Sequence, residues 1–258
     1  MIGFSIKKTF FDIWDNLLML VLMSVGYIVP LSMFLLAGYL IEAGTIFTIL
    51  GCIIGVLLFS MYSLMVSAIT FGYSRNHKGG FKAVKDAFRF HIGHAFLHAG
   101  ILIALFFIFF SIIPFYFNFG NMLGLMMGMI LFWICVGILL ALQYFFPLCF
   151  HMEGDGAFKT FKKCFIIVAD NFWVSLFLAI RNIIGLIFTI LTALMIPGFA
   201  GISLSRMNTI KLLMHKYDFL EANPNCTKKD INWEDLLYEE KQLVGPRSFK
   251  GMIFPWKD

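Results

Sequence analysis

The chain has 258 residues, of which 60% are hydrophobic and only 14% are charged, and its formal net charge is +5. Soluble domains usually contain about 25% charged residues, so this composition excludes an ordinary soluble domain and is typical of a membrane-spanning protein. The basic residues flank the apolar stretches, where an anionic lipid leaflet attracts them. We therefore expect the lipid bilayer, and no nucleic acid, as the partner of this charge.

Five long apolar stretches predict membrane-spanning helices, because about 20 apolar residues are needed to cross the hydrocarbon layer. They run over 17–40, 45–73, 97–117, 122–150 and 172–195. The turns expected on the outer side carry no Lys or Arg, and the opposite segments hold Lys7, Lys8, Arg75, Lys78, Lys82, Lys85, Arg89, Lys159, Lys162 and Lys163. Since basic loops stay in the cytoplasm, both ends of the chain are predicted to be cytoplasmic.

The sequence also repeats with a period of 77 residues. The matched triples are Phe4, Lys8 and Phe11, then Phe81, Lys85 and Phe88, then Phe158, Lys162 and Phe165. Each triple predicts a short amphipathic basic helix on the membrane surface. The expected fold is an all-α membrane protein with six transmembrane helices in three repeated two-helix units, each preceded by a cytoplasmic amphipathic helix. The units cover about 4–80, 81–157 and 158–216.

The sixth helix of this scheme is unusually polar, since residues 197–217 include Ser203, Arg206, Asn208 and Lys211. Such a helix is poorly suited to face lipid, so we expect it to be either buried among the other helices or short. Basic residues follow it closely, which favours a return to the cytoplasm. Residues 1–216 are thus predicted to form the transmembrane domain and 217–258 a cytoplasmic tail, in which Asn232 caps a helix over 233–243.

Two polar pairs lie at membrane depth in the third unit: Arg181 with Asn182, and Arg206 with Asn208. Ionisable residues inside a membrane usually face a bundle interior or a wet cavity and mark functional sites. One interpretation is therefore a polar, anion-binding cavity lined by both arginines. The alternative is a structural role, in which the side chains extend to the interface or bond helix carbonyls.

A metal site is a second candidate. His91, His94 and His98 share one helix face, and imidazole is a frequent metal ligand. Along a straight helix they span about 10 Å, which is too far for all three to hold one ion, so at best His94 and His98 form a pair. The alternative is that they are interfacial histidines bonded to water and headgroups. Catalytic and nucleotide-binding motifs are absent, so the sequence predicts no catalytic residue and no cofactor.

The chain ends in a polar segment followed by an aromatic cluster that includes Phe249, Phe254 and Trp256. Disordered ends normally contain few aromatic residues. We therefore expect this end to dock, either on its own bundle or on a membrane-protein partner, since buried aromatics carry much of the energy of interfaces. The alternative is an interfacial anchor with Trp256 at headgroup depth.

Residues 4–217 contain an apolar span that ends in the motif YFFPL at 144–148, a basic amphipathic run at 158–165 and the motif DNF at 170–172. This layout resembles the YesL-like family of bacterial six-span membrane proteins. The resemblance implies an inner-membrane location and a non-enzymatic accessory role linked with carbohydrate uptake. Two other functions stay open: a stand-alone small transporter with a cavity near Arg181 and Arg206, and a metal-dependent membrane enzyme that uses His94 and His98.

Overall fold

The structure is a computed structural model of the chain. It describes residues 1–258 except 43, 78–79, 153, 196, 225, 229–230, 246 and 248–258. Within these residues the secondary structure is helical and contains no β-strand, which confirms the predicted all-α class. The aromatic end, with Phe249, Phe254 and Trp256, lies outside the described residues, so its docking stays a prediction.

Thirteen α-helices are described, and they are numbered in chain order. They are α1 (Ile2–Asp15), α2 (Leu17–Gly26), α3 (Ile28–Tyr39), α4 (Thr45–Ser74), α5 (Phe81–Phe107), α6 (Ile113–Phe117), α7 (Met122–Leu142), α8 (Phe145–His151), α9 (Ala157–Asp170), α10 (Phe172–Leu191), α11 (Gly198–Ala222), α12 (Trp233–Leu236) and α13 (Tyr238–Val244). A single π-helical turn, Ile108–Ile112, joins α5 to α6.

Five helical stretches of the described chain are long and apolar enough to cross a membrane. They are Leu17–Tyr39, Thr45–Ser74, Phe81–Phe117, Met122–His151 and Phe172–Leu191. Their positions match the five apolar stretches of the sequence, and much of their surface consists of exposed Leu, Ile, Phe and Met. Apolar side chains of this kind suit contact with lipid tails, so the chain is a membrane protein.

Helix α11 is enclosed by other helices and packs against α1, α2, α4, α8 and α10. Its Leu204, Met207 and Ile210 are fully buried. Close packing at the start of α11 depends on Gly198. Its φ of +66° favours glycine, and a Cβ at this position would clash with Ser24 Oγ, which would lie 2.0 Å away. Of the two arrangements that the sequence allows, the structure therefore has the buried one. Several polar side chains of α11, including Ser205, Asn208 and Thr209, are buried against protein.

Helices α1 and α9 each end where an Asn side chain bonds back to the preceding turn. Asn16 Nδ2 donates to Asp12 O at 2.9 Å, and Asn171 Nδ2 donates to Ile167 O at 3.2 Å. These bonds compete with continuation of the helix, so α1 and α9 stop before α2 and α10 begin. Helix α5, by contrast, contains Gly93 and His94 and runs from Phe81 to Phe107 without a break.

The predicted helix near the C-terminus is present as two short helices, α12 and α13. Asn232 Oδ1 accepts a hydrogen bond from Glu234 N, as expected for an N-cap. Helix α13 then lies against α1. Its Glu240 and Val244 are buried, and Glu240 pairs with Lys8 of α1, so the part of the tail that the structure describes is attached to the helical bundle.

Candidate functional site

A cavity of about 320 Å³ lies among α2, α4, α5, α7, α8, α10 and α11. Its wall is mostly apolar, and its polar lining consists of Tyr27, Ser63, Ser67, His98, Gln143, Asn182, Ser203 and Arg206. Ligand sites in proteins usually have volumes of about 300–1,000 Å³ and combine an apolar wall with a few converging polar groups. The cavity therefore has the size and composition of a site for a small ligand.

Two of the polar groups come from breaks in membrane-spanning helices. Tyr27 separates α2 from α3, and Gln143 lies in the interruption between α7 and α8. Irregular backbone at membrane depth is tolerated only where protein or a cavity surrounds it, because lipid supplies no hydrogen bonds. The breaks therefore fit the position of the cavity, and they turn Tyr27 and Gln143 toward it.

Arg206 of α11 supplies the positive charge of the cavity. Its Nε atom is buried without a hydrogen-bond partner, and no described carboxylate forms an ion pair with its guanidinium. A buried charge that lacks a partner costs several kcal/mol, which is why such charges are usually paired. A bound anion would remove this cost, so the cavity is electrostatically suited to a negatively charged ligand.

The other polar groups are held in place by bonds to one another. Tyr27 OH donates to Ser63 Oγ at 3.2 Å, and Asn182 Nδ2 donates to Gln143 Oε1 at 3.4 Å. The oxygen Asn182 Oδ1 is buried and has no hydrogen-bond partner among the described residues. The cavity thus offers one hydrogen-bond acceptor, Asn182 Oδ1, and one donor, Arg206 Nε, that have no partner in the described part of the chain. A ligand with an anionic group for Arg206 and a hydroxyl group for Asn182 would satisfy both.

The second predicted arginine lies beside a different cavity. Arg181 lines a mainly apolar space of about 240 Å³ between α1, α10 and α11, and Asn182 lines both spaces. The guanidinium of Arg181 donates to Ser205 O at 3.0 Å, to Thr209 Oγ1 at 2.8 Å and to Ser5 Oγ at 3.3 Å. These are the contacts of a side chain that ties α1, α10 and α11 together.

The fourth predicted residue, Asn208, belongs to a buried polar group on the other side of α11. Asn208 Nδ2 donates to Asp12 Oδ2 at 2.8 Å. Lys8 lies 3.3 Å from Asp12 and 3.5 Å from Glu240, and Lys211 lies 2.5 Å from Glu240. We call these five residues the ion cluster. It connects α1, α11 and α13, so Asn208 contributes to helix packing there.

The environment of the ion cluster shifts the pKa values of its two carboxyl groups in opposite directions. Burial disfavours the ionised form of Glu240, but the nearby His215 and the paired Lys211 and Lys8 outweigh burial and lower the pKa of this carboxyl to about 2. Burial raises the pKa of the Asp12 carboxyl, although Lys8 and Asn208 act in the opposite direction. Glu240 is therefore the firmly ionised centre of the cluster.

The three histidines of α5 separate into two environments. His98 lines the Arg206 cavity, and its Nδ1 lies 3.0 Å from Ser60 Oγ. The ligand atoms of His91, His94 and Cys149 all lie within 4.8 Å of one another. Sequence reasoning missed Cys149 because nothing in the spacing of the cysteines indicates that α8 packs against α5.

Part of the cavity wall belongs to the outer surface of the bundle. Leu139 of α7, together with Ile183 and Leu186 of α10, lines the cavity while being 47%, 59% and 39% exposed. All three lie in segments that are apolar enough to cross a membrane. The cavity therefore borders the apolar outer surface between α7 and α10.

Comparisons with protein-family models, with curated proteins and with solved structures give no match to this chain. The function of the chain is therefore inferred from the cavity and its residues. Of the residues that line the cavity, sequence reasoning identified Arg206 and Asn182. It also singled out His98, as a candidate metal ligand. Gln143 was missed, although it is a polar residue inside an apolar stretch, and this property would have been sufficient to find it.

Proposed function

We propose that this chain is a non-enzymatic membrane component of solute transport, and that its bundle binds a small anionic solute beside Arg206. The main support for this proposal is the position of Arg206. It lines a polar cavity, and no described carboxylate forms an ion pair with it. A guanidinium in a medium of low polarity interacts strongly with a carboxylate or phosphate group.

We further propose that α11 crosses the membrane as a sixth span, with both termini in the cytoplasm of a bacterium and the bundle in its inner membrane. Its 25 residues extend about 37 Å, which is sufficient for a hydrocarbon layer of about 30 Å. The enclosure of α11 by other helices supports this proposal because it shields Arg206 and Asn208 from lipid. The distribution of Lys and Arg supports the orientation.

The ligand class follows from the groups that line the cavity. Arg206 suits a carboxylate or phosphate, whereas Ser63, Gln143 and Asn182 suit hydroxyl groups. A sugar acid or a sugar phosphate carries both kinds of group. Such a ligand also agrees with the carbohydrate-linked role that the resemblance to YesL-like proteins implies.

The residues around the cavity favour binding over catalysis. The closest approach to a catalytic pair is Ser60 with His98, whose Oγ and Nδ1 atoms lie 3.0 Å apart. Ser60 does not line the cavity, so its hydroxyl is not presented to a bound ligand. Among the described lining residues there is also no carboxylate to orient the imidazole as in a catalytic triad.

Ligand-dependent stabilisation of the purified full chain tests this proposal. Thermal unfolding is measured with gluconate, glucose 6-phosphate and neutral glucose; we expect one of the anions to stabilise the protein and glucose to have little effect. Hydrogen bonds to a charged group contribute about 1.5–3 kcal/mol, so Arg206→Gln should weaken the affinity about tenfold or more. The exposed Arg89→Gln is the matched control and should bind as the wild type does. Equal affinity of both variants would overturn the role of Arg206.

Reconstitution into liposomes distinguishes an accessory factor from a stand-alone transporter. Proteoliposomes that contain only this chain should bind the ligand without accumulating it if the protein is an accessory factor that needs a membrane-protein partner. Uptake by the chain alone would instead establish the stand-alone transporter. In either case the Arg206→Gln variant provides the negative control.

A further inference from the structure

We propose that His91, His94 and Cys149 form a binding site for a zinc ion, separate from the Arg206 cavity. Their ligand atoms lie within 4.8 Å of one another, and they come from two different helices, α5 and α8. Two imidazoles and one thiolate are a donor set that suits Zn²⁺, which binds His nitrogen and Cys sulfur at about 2.0–2.3 Å. A small inward movement of the three side chains brings them to these distances.

The way in which the helices fold explains why these three residues meet. His91 and His94 are three positions apart, so they lie on the same face of α5. Helix α8 follows the interruption at Gln143 and packs against α5, which brings Cys149 close to that face. Cys149 is 1% exposed, His94 is buried and His91 is partly exposed. Two ligands of the site, Cys149 and His94, are thus buried, and the third, His91, lies nearer the protein surface.

The environment of His94 also supports metal binding. Its Nε2 lies 3.1 Å from Thr160 Oγ1, and the Thr160 hydroxyl donates its own hydrogen to Gly156 O. The Thr160 oxygen therefore acts as the acceptor, which places a hydrogen on Nε2 and leaves the lone pair of the imidazole on Nδ1. Histidines that bind metals are usually oriented by such a bond from the other ring nitrogen.

Three protein ligands leave a fourth tetrahedral position for water. Asp155, which follows α8 along the chain, is already paired with Lys159 at 2.6 Å and with Lys163 at 2.5 Å, so it does not supply a fourth ligand. A bound ion would connect α5 to α8, and Phe146 and Pro147 of α8 line the Arg206 cavity. Zinc would therefore stiffen one wall of that cavity.

Cobalt provides a direct test, because a thiolate bound to Co²⁺ gives a charge-transfer absorption in the near ultraviolet. We expect the purified full chain, after treatment with a chelator, to develop this band with one equivalent of Co²⁺ and to lose it when Zn²⁺ is added. Cys149→Ser should abolish the band, whereas Cys135→Ser, which removes another buried cysteine, should retain it. Absence of the band in the wild type, or its persistence in Cys149→Ser, would overturn the proposal.

A second pair of variants keeps the test decisive if Cys149→Ser does not fold. Thr160→Val preserves the shape of the side chain but removes the acceptor for His94, so Zn²⁺ affinity should fall about 10–100-fold while the cobalt band remains. His91→Asn alters the partly exposed ligand and should lower the affinity by at least about tenfold. Unchanged Zn²⁺ affinity in both folded variants would exclude this site, whether or not the Arg206 cavity binds an anion.

Discussion

The Nζ of Lys8 in α1 lies 3.5 Å from a carboxylate oxygen of Glu240 in α13, and the two side chains are only 1% and 7% exposed. This buried ion pair joins helices from opposite ends of the chain. Asp12 and Lys211 supply the compensating charges, so two cations and two carboxylates balance within the ion cluster. The described part of the tail is consequently a structural component of the bundle.

Removing one partner of this cluster should be strongly destabilising, because it leaves a buried charge uncompensated. We expect Glu240→Gln to lower the free energy of unfolding by about 3–5 kcal/mol. The neighbouring Glu239 is exposed, so Glu239→Gln is the matched control and should change stability by less than about 0.5 kcal/mol. Denaturant unfolding of the purified protein measures both. Equal stability of the two variants would show that the ion cluster does not hold α13 in place.

The same cluster predicts how stability depends on pH. The folded-state pKa of Glu240 is about 2 and lies below the ordinary value of 4.5, so its contribution is present above 4.5 and is lost as the pH falls toward 2. The contribution of Asp12 to stability changes with pH in the opposite direction, because the pKa of its carboxyl group is raised in the folded state. A Glu240→Gln variant should therefore lose less stability on acidification than the wild type does, measured as the difference in Tm across this range. Parallel losses would exclude Glu240 as a source of the acid sensitivity.

Much of the fold follows from local patterns in the sequence. Apolar stretches located the five long apolar helical segments, and Asn16 and Asn171 mark where α1 and α9 end because their side chains compete for backbone groups. The pair of Lys8 and Glu240 has no such local mark. Nothing in either segment shows that residues so far apart along the chain will meet, since this depends on how the helices pack.

In the candidate site, too, the sequence predicts which polar residues lie inside apolar helices but not which residues they contact. The sequence placed both Arg181 and Arg206 at membrane depth, but it could not show which of them would find partners. That outcome depends on the rotation of α10 and α11 about their axes, which turns Arg181 toward Ser205 and Thr209. The approach of Cys149 to His91 likewise depends on the packing of α8 against α5.

The aromatic end is predicted to dock on the bundle or on a partner. Deletion of residues 248–258, which include Phe249, Phe254 and Trp256, should leave membrane insertion intact. It should abolish copurification of a membrane-protein partner, because buried aromatics at interfaces often contribute about 2 kcal/mol or more each. Crosslinking in membranes followed by mass spectrometry measures the partners retained. An unchanged set of partners after the deletion would remove the docking hypothesis.

The six-span topology is predicted to place both termini in the cytoplasm. Reporter fusions after Gly120 should report the outer side, and fusions after Gly156 and Asp258 should report the cytoplasm, because basic segments are retained there. The fusion after Asp258 is the decisive one, since it depends on whether α11 crosses the membrane. An external C-terminus would restrict the number of spans to five.

The two arginines should respond in opposite ways to removal of their charge when no ligand is present. Arg181 forms three hydrogen bonds that connect α1, α10 and α11, so Arg181→Met should lower the free energy of unfolding by about 2 kcal/mol or more. Arg206 has no ion pair among the described residues, and replacing an uncompensated buried charge by an apolar side chain relieves its desolvation cost. Arg206→Met should therefore leave stability unchanged or increase it.

Unfolding of both variants in identical detergent and buffer compares the two sites directly, and addition of the anionic ligand extends the comparison. Arg181→Met should retain the stabilisation that the ligand provides, because Arg181 does not line the same cavity as Arg206. Arg206→Met should lose it even though its ligand-free form is at least as stable as the wild type. The opposite pattern, with a destabilised Arg206→Met and a ligand response lost only in Arg181→Met, would assign the binding site to the space between α1, α10 and α11.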